Sequence, residues 1–275
     1  QLGEAKTGFD QLIDRAPGRE TEVVGECFHM VQHSNWKIFL ENQLDASHPG
    51  ATHESTGIAA QMVERDMRRD GRSPPLSYGF LSDFARLGID GWGKFGTVGH
   101  PHGHCTLEGY MGLRPDDPDT NAYVKAMYES YGEERAEEIL GVNLHHSLIY
   151  PCMSIQPPLQ QLRTIRPISP TRTMSEIWHF RLKGAPEAIY QRALGYYYLV
   201  NSPSTMVNAD DLFNWWKVQH GLDSQGGDWV SFHRNAGFDI IDGNLRKSPE
   251  GSMSEMPLRH MMHVWRDYMT AEEGA

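Results

Sequence analysis

Three strand-like runs follow one another with little chain between them: NLHHSLIYP at 143–151, LQQLRTIRP at 159–167 and RTMSEIWHFRL at 172–182. The last two are separated by the turn SPTR, and this spacing makes them antiparallel neighbours, because parallel strands need a long crossover. An earlier run rich in β-branched residues, TEVVGECFHMVQ (Thr21–Gln32), reads as a further strand. Helical patterns lie on both sides of this strand-rich centre. Without regular βαβ alternation, the chain is read as α+β, an antiparallel sheet flanked by helices. No Pro/Gly/Ser linker divides it, so residues 1–275 form one domain, and 275 residues suffice to bury a full core.

The helical patterns are specific. Asn35–Ser47 places Trp36, Phe39, Leu40 and Leu44 on one face, and Pro49 with Gly50 should end it. Further helices are read at Ile58–Arg69, in TNAYVKAMYESYG, and in EERAEEILG with Gly141 as C-cap. Two more follow at Glu187–Val200 and Met206–His220. A last one starts from Ser254 as N-cap, with Leu258, Met262, Trp265 and Met269 on a stripe. The glycine-rich stretch Pro74–Gly112 reads as irregular strands and loops.

Charge and cysteine usage exclude several functions. With 36 acidic against 25 basic residues the formal charge is −11, which opposes nucleic-acid binding, and the basic residues form no stripe. No apolar run approaches the roughly 20 residues that cross a bilayer, and no signal-peptide pattern opens the chain. Three dispersed cysteines, Cys27, Cys105 and Cys152, argue against a disulfide framework and for the reducing cytoplasm. Cys27–His29 (CFH) looks like half of a Rieske cluster motif, but the second half is absent, so this chain alone cannot hold that [2Fe-2S] cluster.

The stretch ENQLDASHPGATHE (Glu41–Glu54) carries the chemistry. Asp45 and His48 are three apart and share a helical face while the helix persists. His48 and His53 are five apart, roughly 140° on an unbroken helix, and the Pro49–Gly50 break allows the chain to bring them together. Two imidazoles and one carboxylate on one face of an iron ion leave positions open, the facial triad of non-haem Fe(II) oxygenases. VNADDLFNW (Val207–Trp215) offers two aspartates, Asp210 and Asp211, which could equally serve the helix dipole. With 14 histidines in the chain, a pair alone is a weak signal.

NWKIFLENQLDASHPGATH resembles the catalytic-domain signature of Rieske-type aromatic-ring-hydroxylating oxygenases, large (α) subunit. HHSLIYP, LRTIRPISPTRTMSEIWHFRLKGAP, NADDLFNW and GSMSEMPLRHMMHVWRDYM extend the resemblance in order along essentially the whole chain. It implies the helix-grip-like fold of that catalytic domain, with His48, His53 and Asp211 as Fe(II) ligands. Asn42 would lie beside the iron, and Asp45 would orient a ligand histidine and lie on the electron path from a neighbouring subunit's Rieske cluster. Gln43, His146, Asn201 and Val207 fall where the family lines its substrate pocket. The family's Rieske domain precedes its catalytic domain, and here the sequence opens on Gln1 where that domain should end, so the chain is expected to be a fragment. In the intact enzyme, O2 and electrons from NAD(P)H, through a reductase or ferredoxin and the Rieske cluster, would dihydroxylate an aromatic ring, or monohydroxylate or demethylate it. The assembly would be a homotrimer or α3β3.

Two alternatives remain open. GHPHGHC (Gly99–Cys105) would place His100, His102 and His104 on one face of a strand, a chelating array for a zinc hydrolase. Pro101 and Gly103 make a regular strand doubtful there, and a solvent-facing or pocket-lining loop is the plainer expectation. The other alternative is a non-catalytic module that binds an aromatic or lipid molecule.

Overall fold

The computed structural model describes residues 2–110, 114–224, 226–227 and 229–271. Nine strands form one sheet: β1 (Thr21–Gln32), β2 (Gly96–Gly99), β3 (Cys105–Gly109), β4 (Leu144–Ile149), β5 (Met153–Gln156), β6 (Gln161–Ser169), β7 (Arg172–Leu182), β8 (Ile240–Asp242) and β9 (Leu245–Lys247). Their order is β1-β7-β6-β5-β4-β3-β2-β9-β8. Every pairing is antiparallel. The SPTR turn does what its spacing predicts: Ser169 faces Arg172 across a two-residue loop, and β6 and β7 run back to back through Gln161↔His179. β1 closes the far edge with a register shift between Val24 and Phe28. Gly25 sits in that bulge at φ +76°, a conformation only glycine adopts freely.

The helices are α1 (Thr7–Asp14), α2 (Trp36–Leu44), α3 (Ser47–Thr52), α4 (Glu54–Arg69), α5 (Leu76–Arg86), α6 (Gly88–Trp92), α7 (Pro118–Tyr131), α8 (Glu133–Gly141), α9 (Glu187–Tyr196), α10 (Met206–Asp223) and α11 (Met256–Thr270). α2 starts where the Asn35 side chain accepts from the Lys37 amide at 3.1 Å, an ordinary N-cap. Its apolar face buries Phe39, Leu40 and Leu44 with Leu148 and Ile165 of the sheet, Trp215 of α10, and Leu258 and Met261 of α11. A second cluster, from Ala46, Leu81, Phe84, Trp92, Phe95, Leu107, Val200 and Val207, surrounds the site described below.

Five local expectations are corrected. Gly141 is the last residue of α8, and Val142 is its C-cap. The first helix ends at Leu44, and Asp45 is already extended, so Asp45 and His48 do not share a helical face. Pro49 lies in the first turn of α3, where the amide it lacks has no intrahelical partner anyway, so proline starts a helix here instead of ending one. Pro74–Gly112 contains α5 and α6 as well as two strands (Met111 and Gly112 lie outside the described residues). The stripe on α11 is shorter than read: Leu258 and Met261 are buried, whereas Met269 is exposed. Ser254 still serves the start of α11, its hydroxyl accepting from the Met256 amide at 3.1 Å, although Glu255 is the N-cap position.

Candidate metal centre and its cavity

His48 stands in α3, and His53 lies at the junction of α3 and α4, with φ −104° and ψ 7°. Their rings meet edge to face, centroids 5.6 Å apart. Asp211 comes from the second turn of α10 and is nearly buried, whereas its neighbour Asp210 is substantially exposed. Among the described residues, His48, His53 and Asp211 form the one group of three whose potential ligand atoms all lie within 4.8 Å of one another.

His53 is 1% exposed, and neither ring nitrogen has a hydrogen-bond partner among the described residues. Its Nε2 nevertheless lies 3.2 Å from Asp211 Oδ1. The separation is that of a hydrogen bond, but the alignment is not, as expected of two donor atoms directed at a common third point. A buried imidazole left without a partner is costly, and a cation held between these atoms removes that cost. Asn42 Nδ2 donates to Asp211 Oδ1 at 3.2 Å. The donor set, two imidazoles and one carboxylate, suits Fe(II) with positions left open.

His48 is oriented through Nδ1, which lies 2.7 Å from the backbone carbonyl of Asp45 and 3.5 Å from its carboxylate Oδ2. The backbone therefore fixes the ring, and Nε2 is left to serve as ligand. The Asp45 carboxylate acts elsewhere. It accepts from the Ser47 amide (3.1 Å), the Ser47 hydroxyl and the His48 amide (2.9 Å), and so shapes the start of α3. Burial alone would lower the His48 pKa, but the hydrogen bond to Asp45 and the charges of Asp211 and Asp45 outweigh it and raise it. Asp45 itself is held well below the usual carboxylate range: burial opposes this, and His48 and Ser47 overcome it.

The group of His48, His53 and Asp211 opens onto a cavity of about 110 Å³. The nine residues that the family resemblance singles out all border it: Asn42, Gln43, Asp45, His48, His53, His146, Asn201, Val207 and Asp211. One wall is polar. Gln43 Oε1 accepts from Ser154 Oγ (3.0 Å) and Gln156 Nε2 (3.4 Å), and His146 Nε2 lies 3.3 Å from Gln156 Nε2. Burial pushes the His146 pKa down to about 4, so this imidazole is neutral. The opposite walls are apolar and come from residues the sequence reading missed: Phe80, Phe84, Trp92, Leu107 and Tyr196. Phe80 and Phe84 are a helical i, i+4 pair, a signal obscured by reading their stretch as loop. After α9 the chain winds into a π-helical turn, Tyr197–Asn201, a feature common at functional sites, and both Val200 and Asn201 of that turn border the cavity.

The rival histidine array does not assemble. Pro101–Gly103 is a 3-10 turn with His102 at φ +64°, not a strand, and His100 and His104 are buried instead of solvent-facing. His100 Nε2 is engaged with Thr106 Oγ1 (3.1 Å), and His104 Nδ1 accepts from the Tyr150 amide (2.9 Å). None of the three borders the 110 Å³ cavity.

An antiparallel sheet gripped by helices, with a two-histidine, one-carboxylate group bordering a mostly apolar cavity, defines a class: proteins suited to a mononuclear metal beside an organic ligand. The family model described as ring hydroxylating alpha subunit (catalytic domain) matches residues 20–271, and the chain belongs to that family. The chain is 28% identical over 250 residues to the 2-halobenzoate 1,2-dioxygenase large subunit of Burkholderia cepacia, covering 90% of this chain and 50% of that protein. To the benzene 1,2-dioxygenase subunit alpha of Pseudomonas putida it is 29% identical over 231 residues, covering 80% and 47%. The chain thus spans about half the length of the curated relatives it matches. Naphthalene 1,2-dioxygenase from Rhodococcus sp. bound to indole shares the fold at a TM-score of 0.69 and 21% identity, over 99% of this chain and 61% of that one. No helix among the described residues is long and apolar enough to cross a membrane.

Proposed function

We propose that His48, His53 and Asp211 hold one Fe(II) and that the adjoining cavity binds an aromatic ring for oxygenation by O2. The observation that carries this reading is the buried His53 imidazole, unpartnered and 3.2 Å from a carboxylate to which it is not hydrogen-bonded, at the edge of an apolar cavity. Bound there, Fe(II) supplies open coordination positions at which O2 is activated next to the ring.

The protein's own residues do the rest. Phe84, Trp92, Leu107 and Val207 exclude water and offer apolar surface to the ring. The chain Gln43–Gln156–His146 gives the opposite wall fixed polar atoms with which to orient it. Asn42 restrains the Asp211 carboxylate, and the Asp45 carbonyl restrains His48. Asp45 also borders a surface depression with Glu41, Arg234 and Glu255, onto which His48 and Asp211 open as well. That position supports a part for Asp45 in electron entry. In the whole protein the electrons would come from NAD(P)H through a reductase or ferredoxin and a Rieske [2Fe-2S] cluster, in a homotrimer or α3β3 assembly. The expected product is a cis-dihydrodiol, from one ring, O2, two electrons and two protons; monohydroxylation or demethylation is the other outcome within the family. A simple carrier has no use for a converging histidine and carboxylate beside its cavity.

The test is isotopic labelling. The chain loaded with Fe(II) is given 18O2, a chemical reductant and a panel of monocyclic aromatics, and the products are read by mass spectrometry. Label from O2 in a hydroxylated ring supports the proposal. Hydroxylation by oxygen from water, or equal product without iron, contradicts it.

A further inference from the structure

The cavity beside the ligand group is not the only one on its side of the molecule. A larger chamber of about 680 Å³ lies further out, lined by Pro75, Leu76, Pro115 and Ala188 with Arg114 and Arg192 among its polar groups. Both arginines are already paired, Arg114 with Glu137 and Arg192 with Asp117, so the chamber offers mainly apolar surface. Among the described residues two border both spaces: Phe80 of α5 and Tyr196, the last residue of α9. Their rings meet edge to face, centroids 5.1 Å apart and 74° between planes. An edge-to-face contact joins the two walls through side chains alone, so rotation of the side chains can open it.

We propose that Phe80 and Tyr196 are an aromatic partition that sets substrate size: the inner cavity takes one ring, and the outer chamber takes the remainder of a larger substrate once the pair opens. The proposal rests on the reading that the inner cavity binds an aromatic ring. Volume is its first support. A cavity of about 150 Å³ takes benzene, so the inner space of about 110 Å³ is on the scale of a single ring and not of a biaryl. The residues beside the pair are the second support. Gly79 and Gly195 each precede one of the two aromatics in the chain, both line the outer chamber, and a Cβ at either would meet nothing within 4 Å. Glycine inside a helix is less favourable than alanine. At these two positions it keeps open the space into which the rings, or a second substrate ring, can move.

The test is equilibrium binding of toluene and biphenyl, by calorimetry, to the iron-loaded chain and to variants. The wild type should bind toluene at least tenfold more tightly than biphenyl. Phe80→Ala should bind biphenyl at least tenfold more tightly than the wild type does, with toluene affinity changed less than threefold. Tyr196→Ala, which removes the other half of the wall, should do the same, so the test survives if one variant fails to fold. Adding Gly195→Leu to whichever variant folds should fill the chamber and cancel the gain. An unchanged ratio of biphenyl to toluene affinity in the opened variants, or a gain that survives Gly195→Leu, overturns the partition. Failure of the wild type to bind toluene overturns the ring-binding reading itself, and the partition with it.

Discussion

Asn42 Nδ2 and Asp211 Oδ1 are joined by a hydrogen bond of 3.2 Å that ties α2 to α10 across 169 residues of sequence. The bond occupies one lone pair of the oxygen nearest His53 Nε2, and so restricts the rotation of the carboxylate the metal would use. Replacing Asn42 with Leu removes the donor and leaves the ligands in place. Fe(II) affinity should fall about 10–100-fold, the usual consequence of losing a partner of a metal ligand, with the fold intact by circular dichroism. Unchanged affinity would show that Asn42 does not position Asp211.

Asp45 acts through two separable groups. Its carboxylate accepts the Ser47 and His48 amides at the start of α3, and its backbone carbonyl orients the His48 ring. Asp45→Ala should therefore lose about 1 kcal/mol of stability, as when a capping side chain is removed, yet retain iron because the carbonyl remains. Asp45→Asn keeps an acceptor oxygen and should recover most of that loss. In the electron-transfer assembly proposed above, both variants should slow electron delivery, measured as reduction of the iron site after rapid mixing. Wild-type reduction rates in both would remove Asp45 from the electron path.

His179 of β7 is 1% exposed, packs edge-on against Phe28 and Tyr197, and has no hydrogen-bond partner for either nitrogen among the described residues. Burial, helped by the Arg163 charge, pushes its pKa down to about 4. Below the ordinary histidine value near 6.5, the unfolded chain takes up a proton that the folded chain refuses. The stability that His179 contributes is thus fully present above pH 6.5, is lost as pH falls toward 4, and changes no further below. The loss is of order 2–3 kcal/mol. His179→Leu should make this limb shallower, seen as urea midpoints that differ less between pH 7.5 and pH 5 than in the wild type, with His146 keeping part of the limb. An unaltered acid limb would contradict the assignment.

Gly57 of α4 lies against α5, where a Cβ would meet Ala85 N at 2.5 Å and Ala85 Cβ at 2.8 Å. Backbone cannot yield cheaply, so Gly57→Ala should destabilise the protein by about 1–3 kcal/mol, checked by denaturant unfolding. The same displacement moves α5, which carries Phe80 and Phe84, so affinity for a single aromatic ring should fall as well. A neutral substitution would mean that α4 and α5 slide freely.

The physical reasons for what was readable differ from place to place. β6, the SPTR turn and β7 were legible because short antiparallel connections and β-branched runs are local signals, and Arg172–Leu182 begins and ends where the sequence places it. The break after Leu44 was misplaced because the chain turns on the Asp45 carboxylate, a tertiary and polar cause, whereas Pro49 is the more conspicuous residue and sits harmlessly in a first turn. α5 was missed because Gly79 and the neighbouring glycines dilute its apolar period; packing against α4 and the cavity, rather than propensity, holds it. Phe80, Trp92 and Tyr196 were beyond reach for the same reason: nothing local reveals which aromatics share a cavity. That His48, His53 and Asp211 adjoin one space was inferable only through the family resemblance, since nothing within either segment predicts the 158 positions between His53 and Asp211 closing to 3.2 Å.

The proposed metal binding depends on that closure. The most direct measurement is iron content together with anomalous scattering at the iron edge, on the chain loaded with Fe(II) and on His53→Ala and Asp211→Ala. One iron per wild-type chain, with its peak between His48, His53 and Asp211, and loss of that iron in both folded variants, is the predicted result. Iron retained in both variants, or a peak elsewhere such as beside His100 and His104, would contradict it.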